Sequence, residues 1–157
     1  MNRAPAAARA IAPAAKTIKA DEKNRQRVLV VDDDVPFREA LTERFFKDGV
    51  RTINCGKLSD ALWMLQNQKF ELILLDLNLV QGSGERILET LRAEKSHLNF
   101  QTPVIVVSGT LNLSLIKRLA GQVAGIFVKP FEYEKLLNLV QAICPAVPVS
   151  APEPQQK

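Results

Sequence analysis

Six polar residues in this 157-residue chain stand where apolar runs end. Asp32, Asp33 and Asp34 follow VLVV, Asp76 follows LILL, Ser108 follows PVIVV and Lys129 follows GIFV. Carboxylates gathered within a few ångströms repel, and ionising them all is costly unless a cation sits among them. A hard divalent ion meets that need, and Mg²⁺ suits it because it takes few carboxylates and keeps its waters. The chain's two cysteines, Cys55 and Cys144, and its one histidine, His97, lie outside this set, which disfavours a softer metal. With a cation in place, one carboxylate can attack a phosphoryl group. Lys129 would neutralise the phosphoryl oxygens and Ser108 would donate a hydrogen bond.

Such a set works only if the fold brings it together. Residues 28–31 form a continuous apolar run, as expected of a buried parallel strand. Pro36 suits the first turn of a helix reaching about residue 48, with Gly49 ending it. Residues 50–55 read as a second strand, and Ser59 is placed to cap a helix running through residue 67. A third strand spans 72–75, Gly82 and Gly84 punctuate a loop, and 85–96 reads as helical. Strands at 103–107 and 125–128 flank a short helix at 113–119. Residues 132–143 close the unit, with Leu136, Leu139, Val140 and Ile143 on one face. Five alternations of strand and helix predict a parallel sheet covered on both sides. In such a sheet the carboxyl ends of all strands share one edge, where ligands bind. With strand order 2-1-3-4-5, the strands bearing the six polar residues are consecutive neighbours.

Composition sets the limits. The chain is 46% hydrophobic and 24% charged, enough for a packed core, and no 18-residue apolar stretch predicts a membrane span. Two cysteines give neither a disulfide framework nor a zinc-type spacing. The net charge of +4 is localised. Residues 1–26 hold six basic and two acidic residues, 27–143 hold fourteen of each, and 144–157 one of each. The basic excess thus lies in an alanine- and proline-rich tail, whereas a DNA-binding domain carries it on the fold. The expected organisation is a flexible tail over 1–26, one domain over 27–143 and a proline-rich flexible tail over 144–157.

The runs VLVVDDD (28–34), LILLDLN (72–78), PVIVVSG (103–109) and IFVKPF (126–131), in that order and spacing, resemble the receiver domain of two-component response regulators. The resemblance covers roughly residues 27–143. It implies a flavodoxin-like, doubly wound α/β fold with a five-stranded parallel sheet of order 2-1-3-4-5 and five helices. It also implies that Asp76 accepts a phosphoryl group from a histidine kinase or histidine phosphotransfer protein. Mg²⁺ would be held by Asp33, by Asp76, by the Asn78 backbone carbonyl and, through water, by Asp32. Ser108 and Lys129 take the positions of the switch hydroxyl and the phosphate-binding lysine. Lys129–Pro130 is expected to be cis, and Gly84 to permit a tight backbone approach. The resemblance further implies a cytoplasmic protein that signals to a downstream protein target, with a weak homodimer allowed. No DNA-binding domain and no turnover of an external substrate are expected. The signalling face would be the fourth helix, fifth strand and fifth helix.

Some positions depart from that pattern. Ile126 stands where Tyr or Phe is usual, and Phe127 should face the opposite side of its strand. Val80 replaces a common proline, and Gly109 is small beside Ser108. Asp34 reads as a helix cap and His97 as an exposed loop residue. Trp63 points away from the apolar face of its helix. Leu111, Leu115, Ile116 and Leu119 read as core, with Leu113 off that face. Three other functions fit the same residues. They are a phosphorelay intermediate, a binding module independent of phosphorylation, and a hydrolase using the Asp32/Asp34 spacing.

Overall fold

The computed structural model describes residues 28–145. The tail expected at 1–26, and the one expected at 144–157 from residue 146 onward, lie outside the described residues, while Cys144 is buried in the core. Four-residue strands β1 (Val28–Val31) and β3 (Leu72–Leu75) are entirely buried, as is β6 (Val104–Ser108). They form the centre of a parallel sheet of order β2-β1-β3-β6-β7, with β2 (Thr52–Cys55) and β7 (Gly125–Val128) at the edges. This is the expected 2-1-3-4-5 order once two short strands are set apart. Those strands, β4 (Asn78–Leu79) and β5 (Gly82–Ser83), pair antiparallel in what the sequence presented as a plain loop.

Successive strand residues face opposite ways, and both faces of this sheet are covered. Leu29, Val31, Ile73 and Leu75 pack under α2 (Leu58–Asn67), α3 (Glu85–Ala93) and α4 (Leu113–Leu119). Val28, Val30, Leu72 and Leu74 pack under α1 (Val35–Lys47) and α5 (Tyr133–Ile143). Phe45, Leu65, Ile87, Leu91 and Leu136 are fully buried from the helix side.

Local chemistry sets the boundaries. Asp34 caps α1, its side chain accepting the Phe37 N–H at 3.1 Å, and Pro36 lies in the first turn. Gly49 ends that helix at φ 76°, a conformation that favours glycine. Asn112 caps α4 by accepting the Leu115 N–H at 2.8 Å. Three expectations are corrected. Ser59 does not cap α2: Lys57 occupies that position and Ser59 lies inside the helix. The second strand starts at Thr52, not at residue 50, because Val50 is still tied to Phe45 at the end of α1. Helix α3 stops at Ala93, not at residue 96.

The early stop of α3 has a visible cause. Asn99 is fully buried, and its side chain makes four hydrogen bonds. Its Nδ2 donates to the Leu65 and Gln68 carbonyls, and its Oδ1 accepts from the Phe70 N–H and Thr102 Oγ. Arg92 donates to the Thr102 and Phe100 carbonyls. Residues 94–102 are therefore folded back onto the end of α2. His97 belongs to this turn and is half-buried, not exposed as expected. Its Nδ1 accepts the Asn99 N–H at 3.0 Å, while Nε2 is buried with no partner among the described residues. Trp63 is 62% exposed on α2, as its helical position predicts.

Candidate functional site

The carboxyl ends of β1, β3, β6 and β7 bring the polar residues together. Asp32 and Asp76 are only 2% and 6% exposed, and Ser108 is completely buried as the last residue of β6. Lys129, just past β7, reaches across the edge to pair with Asp32 Oδ2 at 2.6 Å and Asp76 Oδ2 at 3.2 Å. The parallel registers make this possible, since Val31 of β1 lies beside Leu75 of β3 and Ser108 of β6 beside Val128 of β7. The Lys129–Pro130 peptide is cis, as expected.

Each acid is held by a backbone group as well. Asp32 Oδ1 accepts the Asp34 N–H at 2.9 Å, and Asp76 Oδ1 accepts the Asn78 N–H at 2.9 Å. Asp33 Oδ2 accepts the Val80 N–H at 2.9 Å, which ties the β4–β5 hairpin to the acidic loop. Asn78 Nδ2 donates to Ser108 Oγ at 3.2 Å, linking the residue two beyond Asp76 to the expected switch hydroxyl. Gly84 fits its place because a side chain would run into the Asp76 carbonyl and the Leu77 Cα. Its N–H donates to the Leu77 carbonyl at 2.9 Å. At Gly109 a Cβ would meet nothing within 4 Å among the described residues, so their packing does not demand glycine there.

The electrostatics follow from burial. Desolvation pushes the Asp32 carboxyl above its ordinary range and the Asp76 charge adds to this, against the pull of Lys129 and the Asp34 N–H. Burial also acts to lower Lys129, but the Asp32 hydrogen bond and the charges of Asp32 and Asp76 outweigh it. The net direction for Lys129 is upward, so the lysine stays charged among the acids.

One carboxylate oxygen from each of Asp32, Asp33 and Asp76 lies within 4.8 Å of the others. Three hard oxygen donors at this separation fit a Mg²⁺-like cation far better than a thiophilic metal. The Asn78 residue expected to add a carbonyl lines a shallow recess with Asp33, Val80 and Ser83. Asp34 stays apart from this set and caps α1.

Sequence reasoning passed over two neighbours. Arg38, on the second turn of α1, donates to the Asp32 backbone carbonyl and so braces the acidic loop from below. The Phe37 ring lies 4.0 Å from Lys129 Nζ, a cation–π contact. Both follow from where α1 begins, and neither residue carries a local signal. Ile126 packs on the α2–α4 side of the sheet and Phe127 on the α1–α5 side, the opposite facing predicted for them. Leu111 and Leu115 pack on the core and Leu119 is buried, Leu113 is exposed, and Ile116, expected in the core, is only half-buried.

Residues 28–141 match the response regulator receiver domain family. Among curated proteins, the chain is 27% identical over 118 residues to the cell cycle transcriptional regulator CtrA of Caulobacter vibrioides, covering 74% of this chain and 49% of that one. It is 31% identical over 119 residues to the DNA-binding response regulator MtrA of Mycolicibacterium smegmatis, covering 75% and 50%. The chain thus spans about half the length of these relatives. Among solved structures, a response regulator receiver protein from Pseudomonas putida superposes with a TM-score of 0.69 at 31% identity, covering 75% of this chain and 97% of that one. The non-phosphorylated receiver domain of HemR from Leptospira biflexa gives 0.67 at 24% identity, covering 84% and 100%.

Proposed function

Because this chain belongs to the response regulator receiver family, we propose that it accepts a phosphoryl group on Asp76 from a phosphohistidine donor and passes the change on by protein contact. The donor is a histidine kinase or a histidine phosphotransfer protein, and the output is binding to a downstream protein target. The observation that carries this reading is the convergence of Asp32, Asp33 and Asp76 within 4.8 Å, with Lys129 Nζ 3.2 Å from Asp76.

The chemistry divides among these residues. Asp76 supplies the attacking oxygen. As its bond to phosphorus forms, the phosphorus–nitrogen bond of the donor breaks and the donor imidazole recovers its nitrogen lone pair. Asp33, Asp76 and the Asn78 carbonyl, with Asp32 through water, would hold Mg²⁺, which would supply positive charge toward the phosphoryl oxygens. Lys129 turns from Asp76 toward a phosphoryl oxygen while Asp32 keeps it in place. Ser108 Oγ, which accepts from Asn78 Nδ2, donates its own hydrogen to the phosphoryl group. The new contact at Ser108 biases a two-state equilibrium of the neighbouring loop and α4. The chain acts on its own aspartate and on no external metabolite, and it works in the cytoplasm.

Trapping tests the acceptor directly. After incubation with phosphoramidate, borohydride reduces an acyl phosphate at Asp76 to homoserine. A mass loss confined to the peptide holding residue 76 is expected. Conversion at Asp32 or Asp33 instead would overturn the assignment.

A second reading has one observation in its favour. Ile126, half-buried in β7, leaves the α2–α4 face of that strand without an aromatic side chain to swing inward. Target binding that is unchanged by phosphorylation would favour a phosphorylation-independent module. Return of the phosphoryl group to a histidine phosphotransfer protein would instead assign a relay role.

A further inference from the structure

The β4–β5 hairpin brings a backbone donor to the acidic loop. Val80 lies in the turn between Asn78–Leu79 and Gly82–Ser83 and is 87% exposed, so its side chain packs on little. Its N–H nonetheless donates to Asp33 Oδ2 at 2.9 Å. The hairpin is held in place from below. Leu79 is buried, and at Gly82, with φ 139°, a Cβ would strike Leu58 Cδ2, so the hairpin lies against the start of α2. The three acids differ in what they have left to offer. Asp32 and Asp76 each commit one oxygen to a backbone N–H and the other to Lys129. Asp33 gives Oδ2 to Val80, and its Oδ1 takes no hydrogen bond or ion pair among the described residues. Asp33 is also half-exposed, so the Val80 bond is what fixes its carboxylate among those residues. The same hairpin carries Asn78, whose N–H donates to Asp76 Oδ1 and whose Nδ2 donates to Ser108 Oγ. One hydrogen bond thus joins the loop after β1 to the loop after β3.

We propose that Val80 is a positioning residue for the cation of the acidic site, a role that rests on that site taking Mg²⁺. Its N–H holds Asp33 by Oδ2, which leaves Oδ1 for the ion and keeps the Asn78 strand tied to the acidic loop. Mg²⁺ demands near-ideal ligand placement, so a carboxylate fixed in advance binds it more tightly than one that must be ordered on binding. Outer hydrogen bonds of this kind are worth roughly 10–100-fold in metal affinity. The work is done by the backbone, so the side chain at position 80 can change without loss as long as the N–H remains.

Backbone changes in the full chain test this, with Mg²⁺ affinity read from the amide shifts of Asp34 and Asn78, whose N–H groups donate to the acids. Val80→Ala keeps the N–H and should leave the Mg²⁺ dissociation constant within about twofold. Val80→Pro removes the N–H, and Leu79, extended in β4, tolerates a following proline. An ester in place of the amide between residues 79 and 80 removes the N–H while keeping the valine side chain. Both should raise the Mg²⁺ dissociation constant about tenfold or more. Ca²⁺ accepts irregular ligand positions and should lose less than Mg²⁺ does. Native Mg²⁺ affinity in the ester chain would overturn the proposal. Equal losses for Mg²⁺ and Ca²⁺ would do so too, because the bond would then be a contact of the fold alone. Tighter Mg²⁺ binding by the ester chain would also overturn it, since the N–H would then compete with the ion. No Mg²⁺ binding by the unmodified chain would overturn the cation reading itself, and the role of Val80 with it.

Discussion

Three consecutive aspartates have three different tasks, and single substitutions separate them. Asp34 caps α1, so Asp34→Ala should cost about 1 kcal/mol in urea unfolding and leave phosphoryl acceptance intact. Loss of acceptance in that variant would place Asp34 in the site. Lys129 bridges Asp32 and Asp76, and Lys129→Met should slow acyl phosphate formation at least tenfold with the circular dichroism spectrum retained. An unchanged rate would remove the lysine from the chemistry. The sequence already marked Asp32, Asp33, Asp76, Ser108 and Lys129, because each breaks an apolar run at a strand end. It did not mark Arg38 or Phe37, whose contacts depend on which side of α1 faces the acidic loop. His97 was misplaced for a similar reason: its burial comes from Asn99 folding the turn inward, a tertiary effect with no local pattern.

At the scale of elements, two ties stand at opposite edges of the sheet, one at the strand starts and one beside the site. Asn99 joins the end of α2 to the start of β3 and to the turn before β6. Asn99→Ala strips partners from the Phe70 N–H and two carbonyls, and should lower unfolding stability by on the order of 3 kcal/mol. A loss below about 1 kcal/mol would mean that other donors replace it. Gly84 is the second tie. Its lack of a side chain lets the start of α3 close on Asp76 and Leu77, so Gly84→Ala should disturb the site and slow phosphoryl acceptance as well as destabilise the fold. Strand positions were legible because buried parallel strands are short apolar runs bounded by breaks. The ends of α3 and β2 were not, since they are fixed by Asn99 and by the Phe45 carbonyl, partners remote from the boundary itself or hidden in the turn. The β4–β5 hairpin was missed because two-residue strands have no periodicity to read.

The whole molecule carries its titratable burdens on both sides of the sheet. Burial, with Asp60 adding, pushes the Cys55 thiol up to about 11, and burial, with Glu71 adding, pushes Cys144 up to about 12. An unfolded thiol ionises near ~8.5, so the unfolded chain loses these protons first as pH rises. Their contribution to stability is therefore complete below that value and declines toward pH 11 and 12. Urea midpoints should fall between pH 7.5 and pH 10, by on the order of 2 kcal/mol per thiol at the upper pH. A flat profile would mean the thiols are solvated in the native state. The account as a whole rests on Asp76 as a cation-assisted phosphoryl acceptor. Intact mass after acetyl phosphate, with Mg²⁺ or with chelator, beside Asp76→Asn, tests that most directly. One phosphoryl group gained only with Mg²⁺ and only in the unmodified chain is the predicted result. The same gain in Asp76→Asn, or with chelator present, would contradict it.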